Sequence, residues 1–259
     1  MKSTITISLV SLNQRADLVR LLPSLVLAAD RVQAEILLTD NRSQDGTQSF
    51  IEENYPSIQV IDNPAKAGYG ANHNINIKRA IGTYTVIMNS DMTVSENVFE
   101  RLRDYLDVHP DVGIVSPKII NPDGSIQRLN KRHPTMLDLA LRRFASKSLE
   151  RRFSNRLARY EMLDVGYENE CEVPCLSGCF MFGRTSVLRS VGGFDERYFL
   201  YFEDFDLSRR VQKTHRTMFC PEASATHYWQ RGAHKKFKHS VYFAKSAIRY
   251  FNQWGYRLW

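Results

Sequence analysis

Short apolar runs alternate with an amphipathic stretch in the N-terminal third of the chain, and this alternation constrains the fold most. Residues 4–10, 35–39 and 84–88 have the length and residue types of buried strands. Leucines recur at helical spacing between the first two runs, at Leu18, Leu21, Leu22 and Leu25. Strands that alternate with helices favour a parallel sheet covered on both faces. The sequence therefore predicts an α/β fold with a mostly parallel central sheet flanked by helices.

Polar residues stand where two of these predicted strands end. Asp40 and Asn41 follow the second strand, and the segment from Asn89 to Asp91 follows the third. In sheets of this kind, ligands bind at the carboxyl ends of the strands. We therefore expect these side chains to border a binding site.

Residues 194–207 concentrate carboxylates inside a run of aromatic side chains. One interpretation is that Glu203, Asp204 and Asp206 occupy the first turn of a helix, where acids favour the positive end of the helix dipole. However, aromatic neighbours exclude water, so these acids should be paired, bound to metal or ready for proton transfer. We favour proton transfer.

Several short motifs follow one another in a characteristic order. They are Asp40-Asn41 with Ser43-x-Asp45-Gly46, Asn63 before Gly68-x-Gly70-x-Asn72, Asn89-x-Asp91, Ser177-Gly178, Gly192-Gly193-Phe194-Asp195-Glu196 and Glu203-Asp204-x-Asp206-Leu207. In this order they resemble the inverting glycosyltransferases of family two, which have the GT-A nucleotide-diphospho-sugar transferase fold, and especially the rhamnosyltransferase-like branch. The resemblance spans roughly residues 4–255. A dinucleotide-binding fingerprint is not supported, because no third glycine completes Gly-x-Gly-x-x-Gly.

The resemblance implies a divalent cation, Mg²⁺ or Mn²⁺, with Asp91 as a ligand. Breaking the sugar–phosphate bond of a nucleotide sugar leaves a group that gains negative charge, and a cation with oxygen ligands stabilises it. Asn89 replaces the first acid of the Asp-x-Asp pattern that many GT-A enzymes have, so we expect weak metal binding without nucleotide. At the position of His227, many family members have a histidine that completes the metal site or touches the diphosphate; the alternative is a hydrogen-bonded structural histidine. His234, Lys235 and Lys236 are weaker candidates for a loop that closes over the phosphates.

For the donor nucleotide, the resemblance implies that Asp40 accepts hydrogen bonds from the base or the ribose. Asn41 and Asn72 are expected helpers. Gly68 and Gly70 either let the backbone approach the nucleotide or allow a positive backbone angle in a loop.

For the chemistry, the motif position makes Asp204 the expected general base. It removes the proton of the acceptor hydroxyl as that oxygen attacks the anomeric carbon from the face opposite the nucleotide, so a single displacement inverts the configuration. The aromatic surroundings should raise its proton affinity towards the working pH. Glu203 and Asp206 either orient substrate or pair with Arg209 and Arg210, and spacing alone does not separate Glu203 from Asp204 as the base.

The composition fits one catalytic domain over residues 1–259 with two basic helical attachments, because 43% hydrophobic residues is ordinary for a globular protein. The first attachment is an insertion at residues 128–160, where ten lysines and arginines meet two acids. The second is the C-terminal region 233–259, in which residues 231–259 carry seven basic residues and no acid. No run approaches the roughly 18 apolar residues of a spanning helix. The N-terminus lacks the apolar centre of a signal peptide, so the sequence predicts a cytoplasmic protein.

The basic attachments suggest a membrane surface. A basic amphipathic helix can lie on anionic lipid, so we expect peripheral attachment to the inner face of the cytoplasmic membrane. A polyprenyl-diphosphate-linked glycan acceptor would be found there. The alternative is that both segments pack their apolar faces on the core. The aromatic C-terminus is also a candidate surface for a homodimer.

The favoured hypothesis is an inverting, metal-dependent transferase that builds a bacterial surface polysaccharide, an O-antigen or capsule. The branch resemblance favours dTDP-L-rhamnose as donor, with a UDP-sugar as the alternative. A sugar-1-phosphate nucleotidyltransferase usually has a glycine-rich loop after the first strand, whereas this chain has Ser11-Leu12-Asn13-Gln14. A basic lipid- or nucleic-acid-binding protein is the rival of another class. Nucleic-acid binding is not expected, because it leaves the acidic motifs without a task.

Overall fold

The computed structural model describes residues 5–229 and 237–259. Its strands are β1 (Ile5–Ser11), β2 (Glu35–Asp40), β3 (Gln59–Asp62), β4 (Tyr84–Met88), β5 (Met92–Val94), β6 (Val112–Ile120), β7 (Cys171–Glu172), β8 (Phe180–Arg184) and β9 (Arg216–His227). Its helices are α1 (Arg15–Arg31), α2 (Thr47–Asn54), α3 (Tyr69–Arg79), α4 (Val98–Val108), α5 (Met136–Phe144), α6 (Lys147–Arg152), α7 (Ser154–Tyr160), α8 (Thr185–Ser190), α9 (Glu203–Val211) and α10 (Phe237–Trp254). The three strands and the helix predicted in the N-terminal third are all present.

One mixed sheet organises these elements, in the order β3-β2-β1-β4-β8-β6-β9-β5, and β7 pairs with β9. The predicted parallel arrangement holds for β3, β2, β1 and β4. Beyond β4 the sheet is mixed, because β8 lies antiparallel between β4 and β6. β6 and β9 are again parallel to each other, whereas β5 and β7 run antiparallel to β9. The carboxyl ends of β1, β2, β4, β6 and β9 consequently meet at one edge.

Helices cover both faces of the sheet, as the sequence predicts. On one face, α1 and α4 bury Leu18, Leu21, Phe99 and Leu102 against the strands. On the other face, side chains of α3, α8 and α9 form a second apolar cluster, which includes Ile77, Leu188 and Leu207. The strands between these two layers are buried on both sides, and every residue of β4 is buried. This burial explains their continuous apolar sequence, because a strand covered on both faces has no solvent side to alternate towards.

The two basic segments are helical where the sequence predicts attachments. Helix α5 begins with a capping box, in which Thr135 and Asp138 satisfy each other's backbone N–H groups. Asp138 also pairs with Arg156 of α7, at 2.7 Å. Helix α10 packs its aromatic face on the loop before α9, in a cluster of Tyr198, Phe202, Tyr250 and Phe251. In the described parts of the chain, no helix combines the length and the hydropathy needed to cross a membrane.

Candidate active site

A cleft of about 650 Å³ opens at the carboxyl edge of the sheet. The cleft is lined by five of the predicted site residues, which come from three separate parts of the chain: Asn89, Asp91, Glu203, Asp204 and His227. A larger cleft of about 810 Å³ lies between α10 and the loop around Phe199, and no carboxylate lines it. The smaller cleft is therefore the candidate active site.

Strand pairing brings Asp91 and His227 together. β5 begins at Met92, which is paired with His227 at the end of antiparallel β9. As a result His227 Nε2 lies 3.2 Å from Asp91 Oδ1 and 3.5 Å from the side-chain nitrogen of Asn89. The imidazole is buried, so its position is set by the sheet and its immediate partners.

Gln127 fixes the orientation of the His227 ring. The Gln127 amide nitrogen donates to the carbonyl of His227 and to Asn121 Oδ1, both at 2.8 Å. Its oxygen therefore faces His227 Nδ1, at 2.9 Å, and accepts a hydrogen bond from the Nδ1–H group. A neutral imidazole held in this way carries its lone pair on Nε2, which faces Asp91.

This arrangement suits a divalent cation. Asp91 Oδ1 is buried and has no aligned hydrogen-bond donor among the residues that the structure describes. A carboxylate oxygen and an imidazole lone pair that face each other are attractive only if a proton or a metal ion lies between them. Across residues 5–229 and 237–259, no three His, Cys, Asp or Glu side chains converge as a closed metal site. Among the described residues, Asp91 and His227 would therefore supply two ligands to the cation. Its other coordination positions would be open to groups from outside this part of the chain.

The charge environment of Asp91 has two opposing effects. Burial is the largest effect and raises the pKa of Asp91, but the contacts with His227, the local backbone and Asn89 together outweigh it and leave the pKa below its usual range. Asp17, on the first turn of α1, lines the same cleft, and burial and then the charge of Asp91 raise its pKa. The cleft therefore concentrates negative charge near His227, which favours a bound cation.

Glu203 and Asp204 begin α9 after an unusual backbone. Tyr201 and Phe202 both have positive φ, at 72° and 66°, a conformation that costs side-chain-bearing residues about 1 kcal/mol or more each. This turn points the start of α9 into the cleft. Asp204 Oδ2 accepts from the N–H of Gly178, and Oδ1 accepts from the N–H of Phe205, both at 2.9 Å.

The two adjacent acids differ in how their charge is stabilised. Glu203 is buried, and its Oε2 has no hydrogen-bond partner in residues 5–229 and 237–259. Burial raises the pKa of Glu203 well above its usual range, and the charge of Asp204 adds to the effect. Burial also raises the pKa of Asp204, as expected from the sequence, while the two backbone N–H groups oppose it. The pKa is therefore raised more for Glu203 than for Asp204, so Asp204 is the stronger acid of the pair.

Asp206 has a structural role. Its Oδ2 accepts from Arg210 Nε at 2.7 Å, which is one of the two alternatives that the sequence left open. Its Oδ1 accepts from Gln253 and Trp254 of α10, at 2.7 and 2.9 Å. Asp206 is fully buried and does not line the cleft, so it ties α10 to α9.

Asp40, Asn41 and Asn72 lie beside the cleft rather than on its wall. Asp40 accepts hydrogen bonds from the backbone and hydroxyl of Ser43. The Asn41 side chain donates to the carbonyl of Ala67 and accepts from its N–H, both at 3.0 Å. The buried Asn72 side chain donates to the carbonyl of Gly68 at 2.8 Å, and to that of Ala67. These hydrogen bonds tie both asparagines to the loop before α3, and their contact with a nucleotide stays a prediction.

Gly68 and Gly70 are explained by packing within the protein. Neither has a positive φ, so the backbone-angle interpretation is wrong. A Cβ on Gly68 would lie 2.5 Å from the carbonyl oxygen of Phe199, and one on Gly70 would lie 2.5 Å from Phe194 Cβ. Both glycines let α3 approach residues 194–199, the segment that leads into α9.

Sequence reasoning missed three residues of the site: Asp17, Tyr69 and Gln127. Tyr69 donates to the carbonyl of Gly178 at 2.6 Å, next to the N–H that Asp204 uses. The signal for Asp17 was its place in the first turn of α1, the helix that follows β1. Gln127 had none, since a lone glutamine in a loop marks no role. His234, Lys235 and Lys236 lie outside the described residues.

Comparison with known proteins identifies the family. The glycosyl transferase family 2 profile matches residues 6–192. A curated relative, the N-acetylglucosaminyl-diphospho-decaprenol L-rhamnosyltransferase of Mycobacterium tuberculosis, is 30% identical over 221 residues, which are 81% of this chain and 71% of the relative. The chain therefore belongs to glycosyl transferase family 2 and is a glycosyltransferase.

Solved structures show the GT-A fold. GalNAc-T7 with UDP, GalNAc and Mn²⁺ has a TM-score of 0.69 at 15% identity, and covers 97% of this chain. A mannosyltransferase from Pyrobaculum calidifontis with GDP-Man and Mn²⁺ has a TM-score of 0.64 at 20% identity, covering 96% of this chain and 65% of its own. S. aureus TarS 1–349 with UDP-GlcNAc has a TM-score of 0.63 at 17% identity, covering 97% and 67%. This chain spans 48% of the GalNAc-T7 chain.

Proposed function

We propose that this protein transfers L-rhamnose from dTDP-L-rhamnose to a hydroxyl of a polyprenyl-diphosphate-linked oligosaccharide, with inversion, in the synthesis of a bacterial O-antigen or capsule. The observation that carries the proposal is that one cleft holds both Asp91 and His227, which we propose as cation ligands, and a buried carboxylate pair, Glu203 and Asp204. The name of the curated relative supports both the donor sugar and the lipid-linked acceptor.

Asp91 and His227 are the residues that would hold Mg²⁺ or Mn²⁺. When bound, the ion would stabilise the charge that develops on the departing nucleoside diphosphate. Two of the solved neighbours contain Mn²⁺, which supports the choice of metal. Asn89 is adjacent and contributes an amide rather than a second charge. Metal affinity should therefore be low until nucleotide phosphates complete the coordination.

Asp204 acts as the general base. Its carboxylate is held by Gly178 and Phe205, so it is fixed in position and ionised while Glu203 remains protonated. It takes the proton of the acceptor hydroxyl, and that oxygen forms the new bond to the anomeric carbon as the bond to the nucleoside diphosphate breaks. A single displacement of this kind inverts the anomeric configuration. Glu203 then supports the site as a neutral hydrogen-bond donor.

Donor binding is tested by thermal shift with dTDP, UDP, GDP and CMP, each with and without Mn²⁺. Ligands that bind the native state raise its melting temperature, so dTDP with Mn²⁺ should give the largest shift. The variant Asp91→Ala should lose the Mn²⁺-dependent part, whereas Asp104→Ala, which removes an exposed carboxylate on α4, should not. A larger shift with UDP than with dTDP would indicate a UDP-sugar as the donor. No shift with any nucleotide would contradict the proposal.

We further propose that the protein works at the inner face of the cytoplasmic membrane, where a polyprenyl-linked acceptor is anchored. The larger cleft on α10 supports this, because it is lined by Lys245 and Arg249 together with the exposed Ile248. Cations beside exposed apolar side chains suit an anionic lipid surface.

A further inference from the structure

A second cleft, of about 480 Å³, adjoins the candidate active site. The two clefts share Glu203 and Asp204, so the second cleft reaches the proposed base from another direction. Its other walls come from α5, α9 and α10. Helices α5 and α10 belong to the two basic attachments that the sequence predicts. The proposed donor chemistry uses neither helix.

Among the residues that the structure describes, three cations border this second cleft: Lys131, Arg142 and Arg143. One buried carboxylate, Glu161, serves two of them, at 3.4 Å from Lys131 and 3.1 Å from Arg142. Lys131 is itself largely buried, and burial lowers its pKa to about 8 although Glu161 opposes the shift. The group therefore carries more positive than negative charge at neutral pH, in a partly water-excluded place where an anion is attracted strongly.

Arg143 has no acidic partner within the described ranges. Its guanidinium donates to Ser240 at 2.7 Å and lies 5.0 Å from the ring centre of Phe243, both on α10. These contacts hold the guanidinium at the cleft without neutralising it. Planar guanidinium groups suit phosphate oxygens, because they can donate two parallel hydrogen bonds.

Another wall of the cleft is apolar. Leu139 of α5, Phe205 of α9 and Phe243 of α10 border the same space as the cations. Aromatic contacts link Phe202 to both Phe205 and Phe243, at 5.7 and 5.2 Å between ring centres. A free diphosphate would leave this wall unused, and a hydrocarbon without a charged group would leave the cations unused.

We infer that this second cleft binds the diphosphate and the first isoprene units of the lipid-linked acceptor, with Lys131, Arg142 and Arg143 on the diphosphate and Leu139, Phe205 and Phe243 on the hydrocarbon. The inference rests on the proposed function, because it takes Asp204 as the base that meets the acceptor hydroxyl. A polyprenyl-diphosphate-linked sugar combines a hydroxyl, a diphosphate and a branched hydrocarbon in one chain. The cleft offers a carboxylate, a cationic group and an apolar wall within one space.

Farnesyl diphosphate is the probe for this site, titrated calorimetrically in EDTA so that the metal-dependent donor site does not contribute. Arg143→Gln should weaken binding by about 10-fold or more, which is the usual loss of a hydrogen bond to a charged group. Arg143→Lys should recover part of the affinity because it keeps the charge. Arg151→Gln is the matched control, since Arg151 is exposed on α6 and does not line the cleft.

Farnesol and inorganic pyrophosphate should each bind more weakly than farnesyl diphosphate, because each uses only half of the cleft. The affinity for dTDP with Mn²⁺ should stay within about twofold in Arg143→Gln, which also checks that the variant is folded. Wild-type protein that does not bind farnesyl diphosphate, or equal binding by Arg143→Gln and Arg151→Gln, would overturn the inference.

A transfer assay separates failure of the inference from failure of the proposed function. Arg143→Gln should raise the KM for a lipid-diphosphate acceptor by about 10-fold and leave kcat within about threefold. Rhamnosyl transfer with an unchanged acceptor KM would overturn the inference and leave the proposed function intact. If farnesyl diphosphate binds in an Arg143-dependent way but no sugar is transferred, the cleft is supported as a prenyl-diphosphate site. The proposed transfer reaction would then be contradicted.

Discussion

At the scale of single residues, two adjacent carboxyl groups of the cleft have opposite surroundings. Asp204 accepts two backbone N–H groups, whereas the buried Oε2 of Glu203 has no partner in the described chain. Neighbouring acids whose surroundings separate their proton affinities are typical of sites that use one as a base and the other as a neutral group. This difference gives each residue its own testable consequence.

Replacing Asp204 by Asn should abolish sugar transfer, by a factor of about 10² to 10⁴, because the base is lost while the shape is kept. Nucleotide affinity should change little, since the amide oxygen can still accept from Gly178. Initial rates and dTDP titrations on the same preparation measure both quantities. Asp104→Asn is the control, and transfer at the wild-type rate in Asp204→Asn would exclude Asp204 as the base.

Replacing Glu203 by Gln should stabilise the protein at neutral pH. The folded-state pKa of Glu203 is raised, so its contribution to stability is full below the unfolded pKa and is lost as the pH rises through the folded value. Each unit of raised pKa corresponds to about 1.4 kcal/mol, so Glu203→Gln should raise the Tm at pH 7.5 by at least ~2 °C. The gain should vanish near pH 4.

Glu53→Gln, at an exposed position on α2, is the matched control and should leave the Tm unchanged at both pH values. A lower Tm for Glu203→Gln at pH 7.5 would mean that Glu203 is ionised and paired in the folded protein.

Gln127 should matter for metal binding although it is not a ligand. Its oxygen sets the tautomer of His227, and loss of such an outer contact typically reduces metal affinity by about 10- to 100-fold. Titration of Mn²⁺ in the presence of dTDP, followed by electron paramagnetic resonance, should show this loss in Gln127→Ala. Gln48→Ala on α2 is the control, and unchanged Mn²⁺ affinity in Gln127→Ala would count against His227 as a ligand.

At the scale of secondary structure, α10 is held to α9 through one buried acid, Asp206. Removing Asp206 would leave Arg210 without its carboxylate and would free two side chains of α10. Asp206→Ala should therefore cost about 3 kcal/mol of unfolding free energy and lower the Tm by roughly 6–12 °C. Urea unfolding compared with that of Asp104→Ala measures the difference, and an equal midpoint in both variants would refute this role.

The sequence pattern is sufficient to predict several strands and helices and part of the candidate site. Apolar periodicity locates β1, β2, β4 and α1, because each buries a continuous face that the sequence must encode. The residues after β4 are in the cleft because strand ends share an edge. The antiparallel insertion of β8 was not predicted, since the choice of neighbouring strand depends on contacts far apart in the chain.

Motifs are likewise limited in what they predict about Asn41 and Asn72. Asn41 and Asn72 occur in motifs next to binding residues, yet their amides close the loop that ends at Gly68. A motif shows that a residue type is needed at a position, but it does not separate contact with a ligand from support of a loop. The side-chain amides of Asn41 and Asn72 donate to backbone carbonyls of this loop, and a nucleotide contact by either residue stays a prediction.

At the scale of the whole molecule, charge is divided between an acidic catalytic cleft and basic helices around it. This division predicts salt-dependent binding to membranes. The protein should sediment with anionic liposomes at low salt and be released at high salt, because surface electrostatics are screened. Zwitterionic liposomes should not retain it.

Lys245 and Arg249 of α10, which both line the larger cleft, provide the matched test of this surface. Lys245→Gln/Arg249→Gln should weaken liposome binding by roughly 30-fold, at about 1 kcal/mol for each charge near the lipid. Arg101→Gln/Arg103→Gln removes the same charge from α4 and should have little effect. Equal loss in both double variants would point to net charge, and not to α10, as the cause.

The central claim is that one cleft moves a sugar from a nucleotide to a lipid-linked acceptor. It is tested most directly by incubating the protein with dTDP-L-rhamnose, Mn²⁺ and a soluble N-acetylglucosaminyl-diphospho-lipid, and then analysing the lipid product by mass spectrometry and NMR. The account predicts addition of one rhamnose with inverted anomeric configuration, abolished by EDTA and by Asp204→Asn. Retained configuration, or no transfer from any nucleotide sugar by protein that binds the nucleotide, would contradict it.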